Sequence, residues 1–152
     1  MKIQVLGIGK IRELYFREAV EEYSRRIGYY MPIRIRDAAK EISGSELDME
    51  RAYDRLKKEH LKADLKVALD RNGRIMSSED LAAWFEKAML DSVDLISFII
   101  GGPYGLARSA IDESDQMLSM GAMTLPHQMA RLLLLEQIYR AFTIIKGEPY
   151  HK

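Results

Sequence analysis

Two kinds of hydrophobic pattern alternate along the chain. Short segments are strictly alternating or continuously apolar, which indicates strands, and longer segments carry apolar residues at steps of three and four, which indicates amphipathic helices. The strand patterns cover 2–6, 31–36, 64–70, 94–100 and 116–120. The helical patterns cover 11–27, 45–61, 77–90, 107–113 and 127–145. This alternation predicts an α/β fold with a mostly parallel sheet flanked by helices, in a single domain over 1–152.

Polar residues mark several of the boundaries. Ser45 with Asp48, and Ser77 with Asp80, have the spacing typical of helix N-termini. Residues 43–45 predict a loop before the second helix. The Asn72 and Gly73 pair predicts a turn after the third strand.

The last helical segment is apolar on more than one face. Its apolar residues are Met129, Leu132, Leu133, Leu134, Leu135, Ile138, Tyr139, Phe142, Ile144 and Ile145. A helix of this kind has to be covered on both sides. The sheet can cover one side, and we expect a second copy of the chain to cover the other, which makes the protein a homodimer.

Composition excludes several classes of function. The absence of cysteine excludes disulfides, thiol catalysis and cysteine-bound zinc, and three scattered histidines give no expectation of a metal. No uncharged apolar run approaches the roughly 18 residues of a membrane helix, so we expect a cytoplasmic protein with no membrane contact. The net charge is zero, but residues 1–36 hold eight Lys/Arg against four Asp/Glu. This excess predicts either a local positive patch or ordinary solvated faces.

The glycines point to a ligand. Gly7 and Gly9 follow a strand, but Arg12 stands where a dinucleotide fingerprint needs its third glycine. The stretch 101–105 (GGPYG) and the stretch 121–126 (GAMTLP) each follow a predicted strand, and Leu69 ends a third. Ligands of open α/β sheets bind beyond the carboxyl ends of strands. We therefore expect a slot lined by main-chain amides and apolar side chains, suited to a flat heterocycle such as adenine.

His127, Glu136 and the terminal pair Tyr150 and His151 are polar features near or within the last helix, and each has two interpretations. His127 is either a general base or a structural residue at the helix start, and the second is favoured. Glu136 lies among leucines and is expected to pair with Arg131 or Arg140. The terminal Tyr150 and His151 are either a frayed end or a combination of stacking surface and proton acceptor suited to an unstacked RNA base.

Four phrases resemble the bacterial RlmH (YbeA) family. They are KIQVLGIGK (2–10), FIIGGPYGL (98–106), MTLPHQMARLLLLEQIYRAFTI (123–144) and GEPYHK (147–152). The similarity runs from the first strand to the last residue. It is densest in the last third, and the region 37–62 is much less distinctive.

The resemblance implies an S-adenosyl-L-methionine-dependent methyltransferase of the SPOUT class. Such proteins are homodimers with a C-terminal trefoil knot, and they methylate N3 of a pseudouridine in a large-subunit rRNA stem-loop of the ribosome. By the same resemblance the cofactor contacts fall on Leu69, Gly101, Gly102, Gly121, Ala122, Met123, Thr124, Leu125 and Pro126. Tyr150 and His151 match the acceptor-side tail. Lys152 stands where some relatives have arginine, which changes the form of one phosphate contact.

Transfer of a methyl group to an imide nitrogen requires alignment, exclusion of water and loss of a proton. We expect His151 or Tyr150, from the same or the opposite subunit, to contact the flipped base and help to remove that proton. The candidates for phosphate contacts are Arg25, Arg26, Arg34 and Arg36. Two other interpretations stay open: a non-catalytic dimeric protein that binds RNA or nucleotides, and a SPOUT methyltransferase that acts on tRNA.

Overall fold

The computed structural model describes residues 1–38 and 44–152. Residue 43 of the predicted loop lies outside these ranges. The strands are β1 (Lys2–Ile8), β2 (Ile33–Ala38), β3 (Leu65–Ile75), β4 (Leu95–Ile100) and β5 (Gln116–Ser119). The helices are α1 (Leu14–Gly28), α2 (Glu46–His60), α3 (Ser78–Leu90), α4 (Arg108–Asp112) and α5 (His127–Ile145).

The strands form one sheet in the order β2-β1-β4-β3-β5, and every pairing between them is parallel. The predicted α/β class with a mostly parallel sheet is therefore confirmed. Helices α1, α3 and α5 contribute to the hydrophobic core on one face, and α2 and α4 to a second, smaller core. Because all strands are parallel, the ends of β3, β4 and β5 open onto one edge of the sheet.

The prediction that the third strand ends before a turn at Asn72 and Gly73 is wrong. Strand β3 continues to Ile75, and its pairing with β5 is interrupted by a bulge between Leu69 and Arg74. Within the bulge the Asp70 carboxylate accepts a hydrogen bond from the Asn72 amide at 2.8 Å. The backbone at Gly73 packs so closely on β5 that a Cβ would lie 2.6 Å from the Met117 carbonyl carbon. The residues that predict a turn therefore form a β-bulge within a longer strand.

Helix boundaries follow the polar signals. Ser77 accepts from the Asp80 amide at 3.0 Å and Asp80 accepts from the Ser77 amide at 3.1 Å, which completes the expected capping box. Ser45 accepts from the Asp48 amide, as expected. Helix α1 begins three residues later than predicted.

Helix α5 is covered mainly by its own chain. Leu134, Leu135, Ile138 and Phe142 are buried in the core beneath the sheet, and the neighbouring helices α1 and α3 pack against α5. Its apolar character therefore has an explanation inside one protomer, and the predicted homodimer needs other support. No helix in the described ranges is long and apolar enough to cross a membrane.

Candidate cofactor site

A cavity of about 390 Å³ opens beside the bulge of β3 and the ends of β4 and β5. Seven of the nine residues predicted to contact a cofactor line it: Leu69, Gly101, Gly102, Gly121, Met123, Thr124 and Leu125. Ala122 and Pro126, the other two, belong to the same loop but do not line the cavity. The structure therefore brings three sequence-distant segments to one place, as parallel strand ends should.

The loop after β4 folds back on itself. Gly102 and Gly105 pair as an antiparallel bridge, and the Gly105 amide donates to the Gly102 carbonyl at 3.1 Å. A Cβ on Gly101 would lie 2.6 Å from the Gly105 carbonyl oxygen, and Gly105 itself has φ +90°. The close neighbour of Gly101 is its own loop, which gives this glycine a structural reason in addition to its place on the cavity wall.

The loop after β5 is shaped by Ser119 and Gly121. The Ser119 hydroxyl accepts from the Gly121 amide at 3.2 Å and donates to the Gly121 carbonyl at 3.1 Å. Gly121 has φ +132°, a conformation that favours glycine. Pro126 is the residue immediately before α5, which agrees with its structural interpretation as a preset helix start.

The first turns of α5 are tied to the segment after β1. The Gln128 side-chain oxygen accepts from the amides of Arg12 at 2.7 Å and Glu13 at 3.3 Å. These two residues directly precede α1, which begins at Leu14. His127 is half-buried and lines the cavity. Burial lowers the pKa of His127, and the charge of Arg131 lowers it further, so the imidazole is neutral at pH 7.

Arg131 has a partner that the sequence did not indicate. Its guanidinium is fully buried and donates to Asp37 at 2.6 Å and to the Gly9 carbonyl at 3.1 Å. A Cβ on Gly7 would overlap this guanidinium, so that glycine makes room for a side chain of the same protein. This ion pair fastens the ends of β1 and β2 to α5, beside the cavity.

The predicted tail residues lie elsewhere in the protomer. Gly147 has φ +67°, and its amide and that of Glu148 donate to carbonyls in the last turn of α5, so the chain turns back along the helix. The Tyr150 hydroxyl then donates to Glu136 at 3.1 Å and lies 3.3 Å from the Tyr23 hydroxyl. Burial is the main cause that raises the pKa of Tyr150.

The Glu136 pairing is resolved in favour of Arg140, which donates through Nε at 3.0 Å. Both ring nitrogens of His151 have neighbours: Nε2 lies 2.8 Å from Glu79 and Nδ1 lies 3.4 Å from an Arg140 nitrogen. Arg140 is thirteen residues beyond His127, a rise of about 20 Å along a helix. One protomer therefore does not bring His151 next to the first turn of α5.

A second cavity, of about 290 Å³, adjoins the first. Both cavities are lined by Leu118, Met120 and Gly121. The second also includes Ser78 and Gln137, which are joined by a 2.7 Å hydrogen bond. Ser78 directly precedes Glu79, the residue that contacts the tail.

The four arginines considered for phosphate contacts all have acidic partners. Arg25 and Arg26 pair with Glu22 at 2.6 and 2.7 Å. Arg34 and Arg36 both pair with Glu59. Their positive charge is thus partly compensated within the protein.

Arg71 was missed by the sequence reasoning. It is exposed, lies on the wall of the first cavity and follows directly after the predicted strand end at Asp70. Its position two residues beyond Leu69 was the available signal. In the described ranges no group of three or more His, Cys, Asp or Glu residues is placed to hold a metal ion.

The fold and the cavity define an α/β protein with a nucleotide-sized site formed by the bulge of one parallel strand and the ends of two others. Residues 1–151 match the family described as "Predicted SPOUT methyltransferase", and the chain belongs to this family. This confirms the fold class expected from the resemblance, although the trefoil knot stays a prediction.

Curated relatives match the chain from end to end. A protein of Syntrophotalea carbinolica named "Ribosomal RNA large subunit methyltransferase H" is 41% identical over 154 residues, covering 99% of each chain. A protein of the same name from Carboxydothermus hydrogenoformans is 40% identical over 159 residues, covering 100% of each.

Solved structures are similar in fold. A probable methylase family protein from Haemophilus influenzae superposes with a TM-score of 0.58 at 14% identity, covering 99% of this chain and 70% of that one. A putative methyltransferase from Legionella pneumophila, solved with bound SAM, gives a TM-score of 0.53 at 15% identity, covering 93% and 66%. At these identities the likeness concerns the fold.

Proposed function

We propose that this protein uses S-adenosyl-L-methionine to methylate N3 of a pseudouridine in large-subunit ribosomal RNA. The observation that carries the proposal is a cavity of nucleoside size at the strand ends, in a chain about 40% identical over its full length to proteins named as methyltransferases of that RNA. The pseudouridine N3 position comes from the family resemblance of the 98–106, 123–144 and 147–152 phrases.

The residues of the cavity fit the cofactor. About 390 Å³ lies within the range of roughly 300–1,000 Å³ that is usual for small-molecule sites. Leu69, Leu106 and Leu118 offer apolar contact to an adenine ring, and the loops after β4 and β5 offer main-chain amides and carbonyls to its edge. When bound, S-adenosyl-L-methionine supplies an activated methyl group on a sulfonium. Gly102 and residues 121–126 would position it.

The acceptor side is assigned to the tail. Tyr150 offers an aromatic surface and His151 an imidazole that can accept the imide proton. Their separation from the cavity of the same protomer supports an arrangement in which the tail of one subunit serves the cavity of its partner. The proposed homodimer has further support from exposed apolar side chains near the joined starts of α1 and α5: Leu14 and Tyr15 are 62% and 63% exposed, and Met129 is 42% exposed.

We expect the proposed enzyme to act in the cytoplasm, because its substrate is ribosomal RNA. The direct test is incubation of the purified protein with methyl-labelled S-adenosyl-L-methionine and either 70S ribosomes, free large-subunit rRNA or tRNA from cells that lack the modification. We expect label in rRNA, located at a pseudouridine by mass spectrometry of nuclease fragments. Label in tRNA would refute the rRNA assignment. Cofactor binding by calorimetry without any transfer would favour a non-catalytic binder.

A further inference from the structure

The imidazole of His151 is held from two sides. Its Nε2 lies 2.8 Å from a Glu79 carboxylate oxygen and its Nδ1 lies 3.4 Å from an Arg140 guanidinium nitrogen. A guanidinium can only donate and a carboxylate can only accept. In the neutral ring the proton is therefore on Nε2, and the lone pair of Nδ1 faces Arg140.

These two contacts differ in strength. The Glu79 contact has the length of a good charge-assisted hydrogen bond, whereas 3.4 Å is long for a hydrogen bond to Nδ1. Arg140 is already engaged by Glu136 through a shorter contact of 3.0 Å from its Nε. The lone pair of Nδ1 therefore accepts at most a weak hydrogen bond from Arg140. Since Nε2 already carries the proton of the neutral ring, Nδ1 is the ring atom that can accept another.

The backbone of Glu79 is well anchored, and its side chain is 63% exposed. It lies in the first turn of α3, directly after the capping box of Ser77 and Asp80, so its backbone position is fixed by the helix start. The pKa of Glu79 is lowered, first by a hydrogen bond from its own backbone amide and then by the contact with His151, so the side chain is a carboxylate at pH 7. Among residues 1–38 and 44–152, Glu79 is the acidic side chain that hydrogen-bonds to the ring.

We propose that Glu79 is a positioning residue for methyl transfer: by accepting the Nε2 proton of His151 it fixes the ring's tautomer and orientation, and leaves Nδ1 as the atom that takes the imide proton. This inference rests on the proposed role of His151. The proton passes from N3 of the base to Nδ1, while Nε2–H stays bonded to Glu79. The carboxylate does not touch the substrate.

The test compares Glu79→Ala, Glu79→Gln and His151→Ala in the full-length protein. Misplacing a reacting group by about 1 Å can cost on the order of 100-fold in rate, so Glu79→Ala is expected to lower kcat by about 10-fold or more at an unchanged Kd for S-adenosyl-L-methionine. Glu79→Gln keeps an oxygen that can accept from Nε2–H and should retain clearly more activity than Glu79→Ala. Glu86→Ala is the matched control, because Glu86 is an exposed acid on the same helix.

A spectroscopic readout separates positioning from a general loss of structure. In ¹⁵N spectra of the neutral His151 ring, assigned against His151→Ala, we expect the Nε2–H tautomer in the wild type and in Glu79→Gln and a mixture of tautomers in Glu79→Ala. If His151→Ala lowers kcat but Glu79→Ala does not, the inference about Glu79 is wrong and the role of His151 survives. If His151→Ala itself has normal kcat, the assignment of the tail fails and this inference fails with it.

Discussion

His60 gives a prediction whose size can be worked out from the structure. The ring is fully buried and continues a directed chain of hydrogen bonds: Gln4 donates to Ser97 Oγ at 2.9 Å, Ser97 is 2.9 Å from Nδ1, and Nε2 is 3.0 Å from Ser114 Oγ, which donates onward to a carbonyl. When the neutral ring carries its proton on Nε2, every donor in this chain of hydrogen bonds has one acceptor. A second proton on Nδ1 would leave the Ser97 hydroxyl without its acceptor.

The pKa of His60 is lowered, in agreement with this preference for the neutral ring. Burial lowers it from 6.5 to about 4, and the charge of Lys66 contributes in the same direction. Because the unfolded chain binds the proton more readily than the folded one, the contribution to stability is complete above pH 6.5 and is lost as the pH falls toward 4. A difference of two to three pKa units corresponds to about 3 kcal/mol, at about 1.4 kcal/mol per unit.

The perturbation is His60→Gln, which removes the titrating group and keeps a polar side chain. Urea unfolding of both proteins at fixed protein concentration, from pH 7 to pH 4, gives the free energy of unfolding as a function of pH. We expect the wild type to lose about 3 kcal/mol more than the variant across this window, since carboxylates and His127 titrate in both proteins. Parallel curves for the two proteins would refute the reasoning about His60.

Three further changes test the site. Gly101→Ala places a Cβ against the Gly105 carbonyl, so the loop must move, and calorimetry should show at least a roughly tenfold weaker Kd for S-adenosyl-L-methionine, with Gly28→Ala, which meets no atom within 4 Å, as the unaffected control. Arg131→Met leaves Asp37 without its partner and should lower the free energy of unfolding by about 3–5 kcal/mol in urea; a loss under about 1 kcal/mol would contradict the buried ion pair. Gly147→Ala, at φ +67°, should cost about 1 kcal/mol and lower kcat with cofactor affinity unchanged, because it displaces the tail; an unchanged kcat would disconnect the turn from catalysis.

The features that could be predicted from the sequence are those set by hydrophobic periodicity and by signals within a few residues. Alternating segments became strands, and the Ser77 and Asp80 spacing became a capping box, because both effects act within a few residues. The Glu136 pairing follows the same rule, since Arg140 is four residues later on the same helix face whereas Arg131 is five residues earlier and off that face.

Long-range contacts could not be predicted in this way. The Asn72 and Gly73 signal is genuine locally, but pairing with β5 extends the strand through it. Arg131 finds Asp37 at a separation of 94 residues, and nothing in either neighbourhood indicates the partner. The sequence assigns Gly101 to the cofactor slot, but its contact with Gly105 depends on how the loop closes and could not be predicted.

Helix α5 connects the two halves of the proposed reaction. The first residue of α5, His127, lines the cavity, and the reversal of the chain at Gly147 follows two residues after the helix ends. The nineteen residues of the helix span about 28 Å. In-line transfer needs donor and acceptor atoms about 3–3.5 Å apart. The cavity lies at the start of α5, whereas Tyr150 and His151 contact its second half. The helix is rigid, so within one protomer the tail stays away from the cavity. Because Tyr150 and His151 contact Glu136 and Arg140 rather than the first turn of α5, we propose that a second subunit completes the site and also covers Leu14 and Tyr15.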